Sequence, residues 1–223
     1  MTETQPHLGR PEALRWLNAR LRSRTGRTLM AIDGVDGSGK TAFADDLADL
    51  VRESGTKVIR ISFDNFLNPR EVRHARGRTS PEGFFDDTYN YQRFTDDVLE
   101  PLSGDGCGRY RPASYDLATE TPLSPPWQVA PDQAVVIVDG MFLHRDTLRN
   151  LRGKKVWDLS VWLDVPFEVS VPRMAKRDGT PADPGHIANH RYVEGQKLYV
   201  ERCDPASRAD VVVDNTGERS VPE

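Results

Sequence analysis

Cysteine is nearly missing from this chain. Two of 223 residues are cysteine, Cys107 and Cys203, far apart and outside any CxxC pattern. This argues against a disulfide framework or a thiolate zinc site and suits a reducing cytoplasm. No apolar stretch approaches the ~20 residues that a membrane span needs, and the opening residues 1–9 hold no apolar signal core. Net positive charge is lacking too: 30 Lys and Arg against 34 Asp and Glu give −4, so no global basic field gathers nucleic acid or an anionic membrane. Internal repeats and long low-complexity tracts are also absent.

What is present is the balance of a globular domain, 37% hydrophobic and 29% charged, in a length that suits one sizeable α/β domain. Apolar spacing predicts a helix over 11–24, with Leu14, Leu17 and Leu21 on one stripe. Strands follow at 28–32, 58–62, 135–138, 156–163 and 211–213, and helices at 40–53, 91–102, 166–177 and 186–202. Residues 68–87 read as a loop or short insertion. Residues 103–132 read as an irregular segment with two short strands at best, lying over a ligand site. The first few residues and 217–223 are expected to fray. Strands alternating with helices predict a three-layer, doubly wound, mostly parallel sheet of the P-loop NTPase type. It would form one domain over 1–223, with a core at about 28–215 and a helical lid at about 166–185.

One motif is specific. Gly34-Val35-Asp36-Gly37-Ser38-Gly39-Lys40-Thr41 fits GxxxxGK[ST], and it falls after an apolar strand and before a helix, as the motif requires. Glycines let the backbone curl so that its N–H groups face phosphate oxygens, and the following helix adds the positive end of its dipole. Lys40 would serve the β- and γ-phosphates, and the Thr41 hydroxyl a Mg²⁺ ion. The loop implies ATP and Mg²⁺ but does not reveal the reaction, since kinases, GTPases and ATPases all use it.

Ligands of an open parallel sheet sit beyond the carboxyl ends of its strands, so acids at strand ends are candidates. Asp64 follows the strand ending at Ser62. If that strand neighbours the phosphate-loop strand, the carboxylate faces the γ-phosphate and can accept the proton of an attacking hydroxyl; the alternative is a turn cap. Asp139 closes Val135-Val136-Ile137-Val138 and has the form of an acid that holds Mg²⁺; the alternative is a turn without a ligand. Asp33 and Asp36 place negative charge beside a triphosphate, and the sequence does not assign them. Arg173, Lys176 and Arg177 share one helix face, which would suit a lid closing over the transferred phosphate or an ordinary solvated surface.

Several patches resemble the phosphoribulokinase/uridine kinase group of P-loop kinases: the phosphate loop, Ser62-Phe63-Asp64-Asn65-Phe66, Phe84-Phe85-Asp86, Val138-Asp139-Gly140-Met141-Phe142, Arg173 to Asp178, and Ala209 to Asn215. The resemblance runs in order from about residue 29 to 215, and only the phosphate loop is specific by itself. It implies an ATP-dependent kinase, with a nucleoside such as uridine or cytidine as first candidate acceptor. Asp64 would be the catalytic base and Thr41 and Asp139 the Mg²⁺ ligands, although the family more often has Glu at the second position. Asp86 would bind sugar hydroxyls, Arg173 and Arg177 would be lid and substrate arginines, and Phe66 would line the acceptor site. Arg111 to Leu117, with Tyr115, is similar to the stretch that lines the nucleoside pocket. Where that stretch continues to a base-contacting His, this chain has Thr119-Glu120-Thr121. A Glu there favours a donor-rich or cationic ligand, which keeps a vitamin, nicotinamide riboside or a sugar open as acceptor. A nucleotide switch is the rival class, but no Asn-Lys-x-Asp stretch is present to read guanine. The expected partner is a small-molecule substrate, with no nucleic acid and no membrane; a homo-oligomer is compatible with the sequence, and the cytoplasm is the expected location. His144 and Arg145 could reach the site or serve a helix start or the surface, and Tyr192, Gln196 and Tyr199 share a helix face that reads as core or surface ahead of an acceptor face. Trp127, Trp157 and Trp162 read as packing.

Overall fold

A computed structural model describes residues 5–151 and 153–217; the expected fraying over 1–4 and 218–223 lies outside the described residues. The chain runs β1 (His7–Gly9), α1 (Arg10–Arg22), β2 (Arg27–Gly34), α2 (Lys40–Glu53) and β3 (Val58–Ser62). It continues through α3 (Arg70–Arg73), α4 (Pro81–Asp87), α5 (Tyr91–Phe94), a π-helical turn at Thr95–Leu99 and α6 (Glu100–Leu102). Four two-residue strands follow, β4 (Arg109–Tyr110), β5 (Tyr115–Asp116), β6 (Thr121–Pro122) and β7 (Gln128–Val129). The second half holds β8 (Ala134–Asp139), α7 (Asp146–Arg149), the hairpin β9 (Asn150–Leu151) and β10 (Lys154–Lys155), and β11 (Leu159–Asp164). The last elements are α8 (Phe167–Asp178), α9 (His190–Cys203), α10 (Pro205–Arg208) and β12 (Val211–Asp214).

Six strands form one parallel sheet in the order β1-β12-β11-β2-β8-β3. Successive side chains of a strand point to opposite faces, and each face has its own core. Met30 and Ile32 of β2 pack with Val135, Val161 and Val213 under α1 and α2. Leu29 and Ala31 face the other way, with Val136, Val138 and an aromatic group that includes Phe63, Phe66, Phe94 and Phe142. Burying such a side chain contributes about 1.5–3 kcal/mol, so two filled faces hold the sheet from both sides. On the aromatic face α4 meets α9 closely: a β-carbon on Gly195 would stand 2.8 Å from both Phe84 and the Pro81 carbonyl.

The structure revises several expectations. Residues 68–87 are not a bare loop but carry α3 and α4; Pro81 at the helix start and the Ser80 side chain accepting from Gly83 N begin the second. His7–Gly9 is an edge strand paired with β12. The 103–132 segment has two small antiparallel pairs, β4 with β7 and β5 with β6. The last long helix starts at His190, after a 3₁₀ turn at Ile187–Asn189. The strand before Asp64 is not the neighbour of the phosphate-loop strand, because β8 lies between them. Among the described residues no helix is long and apolar enough to cross a membrane.

Candidate functional site

The phosphate loop joins β2 to α2. Gly37 and Gly39 have φ of 76° and 86°, a left-handed backbone that only glycine adopts without strain. A β-carbon at Gly37 would stand 2.1 Å from the Ser170 carbonyl of α8, so the expected lid helix lies directly against the loop. Lys40 Nζ donates to the carbonyls of Gly34 and Val35 at 3.0 and 2.8 Å. Asn215, just after β12, donates to the Ser38 carbonyl at 2.6 Å.

Asp36, left open by the sequence, accepts from Gly37 N at 2.8 Å and pairs with Arg177 at 3.3 Å. Its own N–H donates to Gln196 Oε1 of α9 at 2.5 Å. One turn further along α9, the Tyr199 hydroxyl donates to Asp33. Asp33 is fully buried and also accepts from Gly34 N and His144 N at 2.7 and 3.1 Å. Gln196, Tyr199 and His144 thus have structural work: they moor α9 and the segment after β8 to the base of the loop.

Thr41 Oγ1 donates to Asp139 Oδ2 at 2.8 Å, so the two expected Mg²⁺ ligands meet. Their separation is close to the ~3 Å between neighbouring oxygens around an octahedral Mg²⁺ with bonds of about 2.1 Å. Among the described residues no group of three or more His, Cys, Asp or Glu side chains could hold a metal. Two protein oxygens completed by water and phosphate oxygens is the pattern Mg²⁺ takes, and the residues fit it.

Asp64 lies in a short 3₁₀ turn, Phe63–Phe66, directly after β3. Asp64 is exposed, yet the surrounding protein partly desolvates its carboxylate. That desolvation raises its pKa above the usual carboxylate value, against the lowering effects of the Tyr89 hydroxyl bond and of Lys40; the charges of Asp139 and Asp36 add smaller upward pushes. Asp64 therefore feels the phosphate-loop lysine across β8 and the expected metal ligand at the end of β8. Tyr89 donates to Asp64 Oδ1 at 2.7 Å. Burial pushes the Tyr89 phenol well above its ordinary pKa, so it stays a donor, and its ring stacks on Phe63 with centroids 4.1 Å apart.

Other expected residues sit differently. Phe66 is fully enclosed in the aromatic core and edges onto Phe94, so packing rather than substrate contact accounts for it. Asp86 is divided between Arg76 at 2.9 Å and Arg145 at 3.2 Å. Tyr115 is buried and its hydroxyl donates to Glu120 at 2.8 Å. Glu120 also takes Arg73 on both oxygens, at 2.7 and 2.6 Å; it is engaged within the protein rather than waiting for a donor-rich ligand. Arg173 donates to the carbonyls of Asn215, Thr216 and Gly217, which ties α8 to the chain after β12 instead of presenting a free cation. Arg177 is exposed and shared between Asp36 and Asp178. Trp157 and Trp162 are buried, but Trp127 is 41% exposed, with Arg111 over its ring. Both cysteines are free.

Sequence reasoning missed Tyr89 and Arg60. Tyr89 meets Asp64 across 25 positions of chain, and no spacing rule points to such a contact. Arg60 did leave a signal, a cation inside an apolar strand; it pairs with Asp139 at 2.9 Å.

No family profile matches the chain, and no curated protein matches it in sequence. Solved structures do match. A possible uridine kinase from Bacillus stearothermophilus has 23% identity and a TM-score of 0.70, over 92% of this chain and 98% of that one. Phosphoribulokinase from Rhodobacter spheroides has 14% identity and a TM-score of 0.54, over 89% and 76%. D-glycerate 3-kinase from Cryptococcus neoformans has 13% identity and a TM-score of 0.53, over 94% and 96%. At these identities the likeness is one of fold, and the fold is that of the P-loop kinases.

Proposed function

We propose that the chain is an ATP-dependent phosphotransferase acting on a hydroxyl of a small molecule, with a nucleoside such as uridine or cytidine as first candidate. The observation that carries the reading is Asp64: an exposed carboxylate directly after β3, bonded by Tyr89 and in electrostatic reach of Lys40 and Asp139, with its proton affinity raised by its surroundings. A switch protein has no use for such a group, while a transferase needs it. The names of the fold relatives agree, since one is described as a possible uridine kinase and another as a D-glycerate 3-kinase.

In this reading the amides of the phosphate loop and Lys40 hold the triphosphate, Lys40 exchanging its two carbonyl partners for phosphate oxygens. Asp64 orients the acceptor hydroxyl and takes its proton as the oxygen bonds to the γ-phosphorus and ADP leaves. Tyr89 fixes the rotamer of Asp64. Thr41 and Asp139 would hold Mg²⁺, which neutralises charge on the β- and γ-phosphate oxygens when bound. Arg177 is tethered beside the loop through Asp36, where a cation can follow charge onto the transferred group. The 1–223 span would act as one unit, with α8 and the turn after it as its lid.

The test is acceptor-stimulated ADP release with the purified chain, ATP and Mg²⁺, across nucleosides, pantothenate, nicotinamide riboside and sugars. Turnover with a nucleoside supports the full reading. Turnover with another acceptor keeps the transferase and replaces the substrate. No stimulation by any acceptor class would count against both.

A further inference from the structure

Arg60 is a cation in the run Val58-Ile59-Arg60-Ile61 of β3, and each nitrogen of its guanidinium donates a hydrogen bond. Nη1 donates to Asp139 Oδ1 at 2.9 Å and to the Ile137 carbonyl at 3.1 Å. Nε and Nη2 both donate to Asp45 Oδ1 on α2, at 3.1 and 3.0 Å. The Asp139 side chain is only 3% exposed, and its two oxygens are divided: Oδ1 belongs to Arg60 and Oδ2 to Thr41.

We propose that Arg60 is a positioning residue that makes Asp139 a one-oxygen ligand and so selects Mg²⁺ over Ca²⁺ in the nucleotide complex. The proposal rests on the kinase reading above. Mg²⁺ demands near-octahedral geometry with single oxygens at about 2.0–2.1 Å, whereas Ca²⁺ takes 6–8 oxygens at about 2.3–2.6 Å and readily accepts both oxygens of one carboxylate. Oδ2 is the oxygen beside Thr41, and it stays available to a small cation. Oδ1 keeps a second lone pair, but Arg60, held by Asp45 of α2, fixes the orientation of the carboxylate, and turning both oxygens to one cation would cost that charge-assisted bond. Arg60 also places a positive charge near the metal, but that charge weakens any divalent cation alike. Discrimination comes from the number of carboxylate oxygens on offer.

The experiment compares the dissociation constant of a non-hydrolysable ATP analogue in saturating Mg²⁺ with that in saturating Ca²⁺, by calorimetry on the full chain. The wild type is expected to prefer the Mg²⁺ complex. Arg60→Met frees Oδ1 and should shrink that preference by about tenfold, through a gain for the Ca²⁺ complex. Asp45→Asn loosens the anchor while leaving the Arg60 charge in place, and should shift the ratio in the same direction by less. This second variant decides the matter if Arg60→Met does not fold. An equal change in both constants would reduce Arg60 to a charge effect and overturn the proposal, as would a ratio that does not move in either variant. If the wild type binds the analogue with neither cation, the kinase reading itself fails and takes this inference with it. If the wild type binds normally and only the ratio stays fixed, the kinase reading stands and this inference alone falls.

Discussion

In the proposed transferase the donor side and the acceptor side are built from different material. The donor side is one window of backbone, residues 34–41, whose conformation is set by Gly37 and Gly39 and whose only long-reaching side chain is Lys40. The acceptor side is assembled from Asp64 after β3, Asp86 and Tyr89 at and beyond the end of α4, Tyr115 and Glu120 in a small hairpin, and Arg145 after β8. A backbone cradle can be written in eight consecutive letters. The side-chain groups need four separate segments to be folded correctly at once, so no short window of sequence spells them.

The sharpest way to separate the two sides is Asp64→Asn. Phosphate transfer should fall by about 10²–10⁴, the usual worth of a positioned general base, while the affinity for a metal–ATP analogue complex stays within about twofold of wild type. Loss of nucleotide binding would show that the sides are not separable. The stability effect should have the opposite sign to the activity effect. Asp64 has a raised pKa in the folded state, so the fold binds its proton more tightly than the unfolded chain does. Its charge therefore penalises folding above the ordinary carboxylate range, and the penalty lifts as pH falls through the raised value. A neutral Asn escapes it, and the melting temperature at neutral pH should rise rather than drop.

Arg177→Gln tests whether α8 belongs with the donor side. If Arg177 follows charge onto the transferred phosphate, kcat should drop by about 10- to 100-fold with little change in melting temperature, since its ion pairs are mostly exposed and worth little to stability. A change confined to the acceptor KM would move α8 to the other side of the comparison.

How much was legible follows the same division. The phosphate loop, α2 and β3 are read from residues within a few positions of one another, and their bounds match: Lys40–Glu53 and Val58–Ser62. Asp64 and Asp139 are readable because strand ends in a parallel sheet point to one edge. The strand order was not readable, because nothing local says that β8 inserts between β2 and β3. Helices α3 and α4 are short, and α3 has no buried residue, so no apolar period marked it. Phe66 is fully buried, and sequence does not separate a ring that meets a substrate from one that packs beneath a strand-end acid. Glu120 was read as a free acid because its partner Arg73 lies 47 positions away.

Tyr89→Phe should act more gently. The hydroxyl bond to Asp64 is one of the two main influences that lower the carboxyl pKa against burial, so removing it lets the pKa climb further. Asp64 must be ionised to take a proton, and the acid limb of kcat/KM should move to higher pH. Activity then falls severalfold on that limb and converges with wild type on the alkaline side. A limb that stays put would mean that Tyr89 only packs against Phe63.

The smallest expected change is also the most confined. Glu120 has a left-handed backbone, φ 53°, which a side chain adopts at some cost; its double contact with Arg73 and the bond from Tyr115 offset that cost and hold the β5–β6 hairpin against the segment around α3. Glu120→Gln keeps the size and loses the charge, so one of the Arg73 bonds weakens and Tyr115 gains freedom. The KM for the acceptor should rise a few-fold while kcat and the nucleotide dissociation constant stay level, because nothing in the hairpin bonds to residues 34–41. Glu120→His adds a donor at the same place. If it improves turnover of uridine over other acceptors, position 120 reads the base directly despite its internal partners. If it lowers turnover of every acceptor alike, Glu120 is a brace for the acceptor wall, and the ligand is recognised by the groups it holds in place.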